Sequence, residues 1–294
     1  MNANTQHVSV IGTGLMGSAL AKALKKGGLP VTVWNRSKDK AEQLAPLGIT
    51  VASSAADAIK PSDLVIVCLT DFQAVNETLR TPEIEAIISG KTIVNYTSGP
   101  ARDARESSAW ATANGSGYLH GAIFSYPGEI GEPNAEIAHS GPEALYKKHE
   151  SALRFMAGQS RFIGEEVAYS CLLERAMFSF YFGSVFAFYQ GSAVLDAENL
   201  PLDEYLSSAE KLLPVVAFTL KQTLEMHEND DYSGTNSHLG VHLAAVKGAY
   251  EDAIASGASS DLLETLCKMM ERGIEIAGGQ ECELPVIFKA FKKS

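Results

Sequence analysis

Three glycines near the head of the chain are spaced as G-x-G-x-x-G, in Gly12-Thr13-Gly14-Leu15-Met16-Gly17. Glycines at this spacing can hold a diphosphate. The first permits a tight turn, the second lets backbone approach the phosphates, and the third lets a helix pack closely on a strand. The motif acquires meaning from its flanks. Val8–Ile11 is an apolar run that reads as a buried strand, Ser18–Leu24 has a helical pattern, and Val31–Trp34 reads as a second strand. The diphosphate would sit on the unpaired N–H groups of the helix N-terminus, where the macrodipole favours anions. Leu15 and Met16 share this turn and count with the glycines as cofactor-binding positions. The alternative is a glycine-rich turn with no ligand.

The second strand ends in Asn35-Arg36-Ser37, with Lys38 and Lys40 close behind. Chains that bind NAD usually place a carboxylate there, on the ribose hydroxyls. A carboxylate repels a 2′-phosphate, whereas a guanidinium holds it through charge-assisted hydrogen bonds. Asn35, Arg36, Ser37 and Lys40 therefore point to NADP(H); otherwise Arg36 is an exposed loop cation. Leu69, at the end of the apolar run Leu64–Leu69, and Asn95 and Ser98, just past Thr92–Asn95, lie where doubly wound folds bind ligands. Tyr126 lines a pocket or is a packed turn aromatic. His238 and His242 are four apart and share a helix face. No third ligand accompanies them, so no metal site is expected, and His242 is kept as a polar pocket residue. His120 reads as a satisfied core histidine.

These residues need a frame. The chain of 294 residues suggests about two domains. Strand and helix alternate over the first 120 or so residues. A helix is expected around Lys38–Leu47 and stopped by Gly48, then a strand at Ile49–Val51 and a helix start at Ser53–Asp57. A helix at Phe72–Leu79, one opened by Pro100 and a strand at Gly117–Ile123 follow. Right-handed crossovers then give a doubly wound parallel sheet. Beyond Gly164 the chain is helical, with helices expected over Glu174–Asp196, Leu202–Met226, His238–Ser256 and Asp261–Ala277. The expected fold is α/β: a Rossmann domain over 1–163, a long interdomain helix, and an all-helical domain over 164–294. A net charge of −11 argues against nucleic acid or anionic membranes as partners. No apolar run is read as reaching the roughly 20 residues that span a bilayer, and Ala176–Val194 reads as a buried helix. No signal peptide is evident, and the four cysteines show no metal spacing. A cytoplasmic location is expected.

With this layout the chain resembles the β-hydroxyacid dehydrogenase (6-phosphogluconate dehydrogenase-like) superfamily, and within it the imine reductases and reductive aminases most closely. The matching pieces are Gly12–Gly17, Val33–Ser37 with Lys40-Ala41, Thr92–Gly99, His120–Ile123 through Ile130-Gly131, Phe162–Glu165, Asp231–Ser233 and Leu239-Gly240. The resemblance implies NADPH-dependent reduction of an imine, or of a carbonyl with an amine. It also implies a homodimer that exchanges its helical domains and shares its active sites. Hydroxyacid dehydrogenases place a catalytic lysine near the start of the long helix, and many imine reductases have Asp or Tyr there. This chain has Glu174. A carboxyl group can protonate an imine nitrogen as hydride arrives, and burial raises its pKa towards the useful range. Glu174 is otherwise a structural partner of Arg175 or a solvated helix-start carboxylate. Reductive aminases often carry a tyrosine farther along; here it is Phe182, with Tyr181 beside it and two helical turns from Glu174. Tyr181 supplies a phenol or is one core aromatic among several. Phe178 and Phe182 are expected in the substrate pocket. The competing functions are a hydroxyacid or carbonyl dehydrogenase, disfavoured by the missing lysine, and a cofactor-binding protein with little activity.

Overall fold

Continuous apolar runs become the inner strands. The computed structural model describes residues 6–234 and 237–292. Among them, β1 (Val8–Ile11), β2 (Val31–Trp34), β3 (Thr50–Val51), β4 (Leu64–Val67), β5 (Thr92–Asn95), β6 (Gly117–Ile123), β7 (Glu136–Ser140) and β8 (Gln159–Phe162) form one sheet. Their order is β3-β2-β1-β4-β5-β6-β7-β8. All pairs are parallel except β6 with β7. β1, β4 and β5 are buried at every residue, as parallel strands covered on both faces must be. The chain leaves β1 towards β2 and returns to β4 on the other side. A crevice therefore opens beyond the carboxyl ends of β1 and β4, at the switch point where such sheets bind ligands.

The helices that precede the long one are α1 (Leu15–Lys26), α2 (Lys38–Glu42), α3 (Ala55–Ile59), α4 (Phe72–Leu79), α5 (Pro82–Glu85), α6 (Ala101–Ala113) and α7 (Glu143–Met156). Leu20 and Leu24 of α1 and Leu153 and Met156 of α7 cover one face of the sheet with Val10, Val33 and Ile66. Ile59, Val75, Leu79 and Ala111 cover the other with Ile11, Val65 and Val67. The helix expected over Lys38–Leu47 stops at Glu42 and gives way to a 3-10 turn over Ala45–Leu47. Pro46 disfavours helical backbone at the residue before it, and Gly48 ends the turn at φ +73°. β7, α7 and β8 were not anticipated.

The chain divides into two compact units, the first running to Ser179 and the second from Phe180. The long helix α8 (Tyr169–Ala197) starts earlier than Glu174 and runs from the first unit into the second. It was expected to be buried, and in this chain only Ser170, Cys171 and Glu174 of it are. Phe186 and Tyr189 are 58% and 61% exposed. With a mean hydropathy of 1.2, α8 is the one helix among the described residues long and apolar enough to cross a membrane, against the expectation that none would be. Its serines and Gln190 are polar interruptions that the flanking Phe, Val and Ala residues outweigh. The second unit continues with α9 (Leu202–Asn229), α10 (Leu239–Ala255), α11 (Asp261–Ala277) and α12 (Ile287–Ala290), around a small core of Tyr232, Leu239 and Val286.

Candidate active site

The glycine turn is built as its spacing requires. Gly12 stands at φ +101°, and a Cβ there would lie 2.2 Å from the Cys68 carbonyl oxygen and 2.8 Å from Leu69 Cδ2. A Cβ on Gly17 would lie 2.0 Å from the Gly12 oxygen, whereas one on Gly14 would meet no described atom within 4 Å. The first and third glycines thus pack the turn, and the second leaves open the space a diphosphate needs. Gly14 caps α1, whose first turn holds Leu15, Met16 and Gly17 and no acidic residue. Leu15 is 85% exposed. Thr13 Oγ1 is buried in the turn with no partner among the described residues. An open glycine, unopposed N–H groups and an orphaned hydroxyl fit a dinucleotide.

Asn35 secures this turn to β2: its Oδ1 accepts from the Thr13 N–H at 3.0 Å and its Nδ2 donates to the Ser37 oxygen at 2.9 Å. Its amide is spent on the scaffold. Arg36 lines a groove of about 320 Å³ with Trp34, Ser54, Ala55, Thr78 and Thr81. Ser54 also caps α3 by accepting from the Asp57 N–H. Lys38 pairs with Glu42; among the described residues, Arg36 and Lys40 are in no ion pair. Arg36 is exposed, as Ser37 and Lys40 are, so its charge is available to an anion.

The turn after β5 is where cofactor groove and helix α8 meet within the first unit. Asn95 is wholly buried; its Nδ2 donates to the Tyr118 hydroxyl at 3.0 Å and its Oδ1 accepts from the Thr97 N–H at 2.9 Å. Asn95 therefore shapes the turn from beneath. The Leu69 N–H donates to Thr97 Oγ1 at 3.1 Å, joining the ends of β4 and β5. Ser98 faces the other way. Its hydroxyl donates to Glu174 Oε1 at 2.8 Å. Glu174 is 6% exposed, and Oε2 is buried with no partner among the described residues. Burial holds the Glu174 carboxyl above the usual carboxylate range, against the Ser98 hydrogen bond and the Arg175 charge, which both pull it down. Neither structural alternative for Glu174 describes this: the carboxyl is not solvated, and its hydrogen bond goes to Ser98.

Other candidates lie apart from that pair or in the second unit. Tyr126 is exposed, in a turn where its N–H donates to Glu129 Oε2 at 2.7 Å. Phe178, on α8, is half exposed. In the second unit the rings of Tyr181 and Phe182 meet edge to face at 5.2 Å, both half exposed. His238 Nδ1 donates to the Glu281 carbonyl at 3.0 Å, and His242 is half-buried on α10. No group of three or more metal-ligating side chains occurs among the described residues. The residues missed at the site were Thr97 and Ser170. Neither has a sequence signal, since each acts through partners distant in the chain.

Two family models divide the chain: the NAD binding domain of 6-phosphogluconate dehydrogenase matches residues 7–164, and the C-terminal domain of NADPH-dependent reductive aminase-like proteins matches 166–292. An imine reductase from Myxococcus stipitatus, solved with NADP+, superposes with a TM-score of 0.91 at 30% identity, covering 97% of this chain and all of that one. The chain belongs to the imine reductase and reductive aminase family. A curated NADPH-dependent reductive aminase of Aspergillus oryzae is 29% identical over 98% of both chains. A reductive aminase from Aspergillus terreus, solved with cyclohexanone and allyl amine, is 29% identical with a TM-score of 0.88, covering 98% of this chain and all of that one. The protein is an NADPH-dependent oxidoreductase acting on imines. In this chain the carboxyl at the opening of α8 is that of Glu174, anchored by Ser98.

Proposed function

We propose that Glu174 delivers the proton to nitrogen in an imine reduction, while Ser98 fixes which oxygen carries it. The observation that carries this is the Ser98–Glu174 pair. Oε1 accepts from the Ser98 hydroxyl, so the proton of the neutral carboxyl resides on Oε2, the oxygen with no protein partner. When bound, NADPH supplies the hydride that reaches the imine carbon. The turn over residues 12–17 would hold its diphosphate, and Arg36 its 2′-phosphate. Glu174 passes its Oε2 proton to nitrogen, leaving an amine and a carboxylate that water reprotonates. With a preformed iminium, which already carries its proton, the Glu174 carboxylate stabilises the cation instead. The aromatic side chains Phe178, Tyr181 and Phe182 suit apolar amines and ketones, and the Tyr181 phenol offers a second polar group along α8. A hydroxyacid substrate is disfavoured, because Glu174 offers no cationic group to act as the proton donor a lysine would supply.

The half-exposed apolar residues of α8 and α9, among them Phe186, Tyr189, Leu213 and Phe218, would be covered by a second copy of the chain, giving a homodimer. A stable monomer by light scattering would end that part of the proposal.

The deciding assay follows consumption of NADPH with a small cyclic imine, and with a ketone and amine supplied together. A hydroxyacid with NADP+ is the control. Imine turnover without hydroxyacid oxidation is expected; the reverse pattern, or tight NADPH binding with no turnover, would overturn it. Replacing Arg36 by alanine should weaken NADPH binding by roughly 10- to 100-fold, the loss of a charged hydrogen bond of about 1.5–3 kcal/mol. NADH binding should be nearly unchanged. Equal losses for the two cofactors in a fluorescence titration would show that Arg36 does not face the 2′-phosphate.

A further inference from the structure

His120 lies on β6, opposite Asn95 of β5, and is 1% exposed. Nothing in the chemistry above uses it, yet both of its nitrogens are committed. Nε2 lies 3.2 Å from the Thr97 carbonyl oxygen and Nδ1 lies 2.8 Å from Ser170 Oγ. Burial lowers its pKa to about 4, so the ring is neutral and has one N–H to give. A carbonyl can only accept, which places that hydrogen on Nε2. Nδ1 must then accept, and the Ser170 hydroxyl donates to it.

The network continues into β7. The Ser140 hydroxyl accepts from the Ser170 N–H at 3.0 Å, and its own hydrogen is shared between the Val167 carbonyl at 2.7 Å and Ser170 Oγ at 2.8 Å. The Cys171 thiol lies 3.4 Å from both ring nitrogens. On its other side the imidazole stacks on Phe72, with centroids 6.0 Å apart and planes 12° from parallel. Phe72 in turn packs against Gly99, where an added Cβ would fall 2.3 Å from its ring.

This arrangement controls both ends of the Ser98–Glu174 hydrogen bond. The Thr97 carbonyl belongs to the peptide plane that carries the Ser98 nitrogen, so its direction sets where the Ser98 hydroxyl points. Ser170 stands one helical turn before Glu174 on the same face of α8. One side chain thus ties the turn after β5 to the opening of α8. We infer that His120 is a positioning residue that holds Ser98 and Glu174 in register for proton transfer, resting on Glu174 as the proton donor. Misplacing a catalytic group by about 1 Å can cost on the order of a hundredfold in rate, so a tether of this kind has a kinetic consequence. The groups that bear on the Glu174 carboxyl are Ser98, Arg175 and Cys171, with Asp103 bearing in turn on Cys171.

The test is His120→Phe, which keeps an aromatic ring on Phe72 and removes both nitrogens. Because catalysis needs protonated Glu174, kcat falls on the alkaline side through that group's pKa. The variant should lower kcat on the order of ten- to a hundredfold, with KM and NADPH affinity retained. It should also move the alkaline limb to higher pH, because a slackened Ser98 bond no longer pulls the carboxyl down. His120→Gln, whose amide nitrogen can reach the Thr97 oxygen, should recover the limb. Combined with Glu174→Gln, His120→Phe should add no further loss. An unmoved limb, or a full additional loss in the Glu174→Gln background, overturns the inference while leaving Glu174 as the acid. If Glu174→Gln alone is harmless, Glu174 is not the donor and this inference falls with it. If His120→Phe does not fold, Ser170→Ala removes only the hydroxyl on Nδ1 and must shift the limb the same way, or the inference fails.

Discussion

Glu174→Gln is expected to lower kcat for imine reduction by roughly 10²- to 10⁴-fold, the usual worth of a positioned general acid. NADPH affinity should stay as it is, since the Glu174 carboxyl bonds Ser98 and not the glycine turn. The glutamine is nearly isosteric and keeps an acceptor for the Ser98 hydroxyl, so the loss isolates the proton on Oε2. Its pH dependence gives a second check. Burial raises the Glu174 pKa, which keeps the acid protonated further into the working range. The wild-type profile therefore declines as pH rises through that raised pKa, and the glutamine variant should show no such decline. Ser98→Ala removes a donor that favours the carboxylate, so its limb should move upward in pH. A Glu174→Gln enzyme with most of its kcat and an unchanged alkaline limb would remove Glu174 from the chemistry.

The parts of this molecule legible in its sequence are those whose physics is local. The G-x-G-x-x-G turn declares itself because Gly12 must adopt φ +101° and Gly17 must touch the Gly12 backbone, and no other residue type meets both demands. The inner strands declare themselves because burial on two faces leaves uninterrupted apolar runs. β7 and β8 do not, since Glu136-Ile137-Ala138-His139-Ser140 and Gln159-Ser160-Arg161-Phe162 are half polar. His139, Ser140 and Ser160 are buried there because hydrogen bonds satisfy them, which no periodicity reports. The proposed Ser98–Glu174 pair was half visible. Glu174 could be placed from family resemblance, and Ser98 from its position beyond a strand end. Their union spans 76 residues and is a property of the fold. Asn95 and Asn35 show the converse: both sit at ligand-facing ends of strands, yet their amides are consumed in shaping the turns. α8 misled because an apolar helix reads as a core helix, and a single chain cannot say whose core.

Acid should steeply destabilise the Rossmann unit before most of its carboxylates are protonated. Burial depresses the pKa values of three histidines: His120 to about 4, His139 to about 3 and His149 to about 4. All three have hydrogen-bond partners that suit neutral rings. His139 bonds the Tyr96 hydroxyl at 2.8 Å, and His149 bonds Thr92 Oγ1 at 2.8 Å and the Gln6 side chain. In the unfolded chain each regains a pKa near 6.5. Between that value and the folded pKa, the unfolded state binds more protons, so stability rises with pH in this window. It is fully present above about pH 6.5 and is lost as pH falls towards 4. Each histidine contributes a slope approaching about 1.4 kcal/mol per pH unit, and three together approach roughly 4. Against a total stability of about 5–15 kcal/mol, the roughly 8 kcal/mol lost over two pH units is half or more of the total. Glu174, with its raised pKa, acts in the opposite sense, since its folded form gains the proton first, but one group cannot offset three. Urea midpoints measured from pH 7 to pH 4.5 should fall steeply. His149→Leu should flatten that slope by about a third, whatever it does to stability at pH 7. A midpoint that stays level across the window would mean that these rings charge without unfolding the sheet they brace.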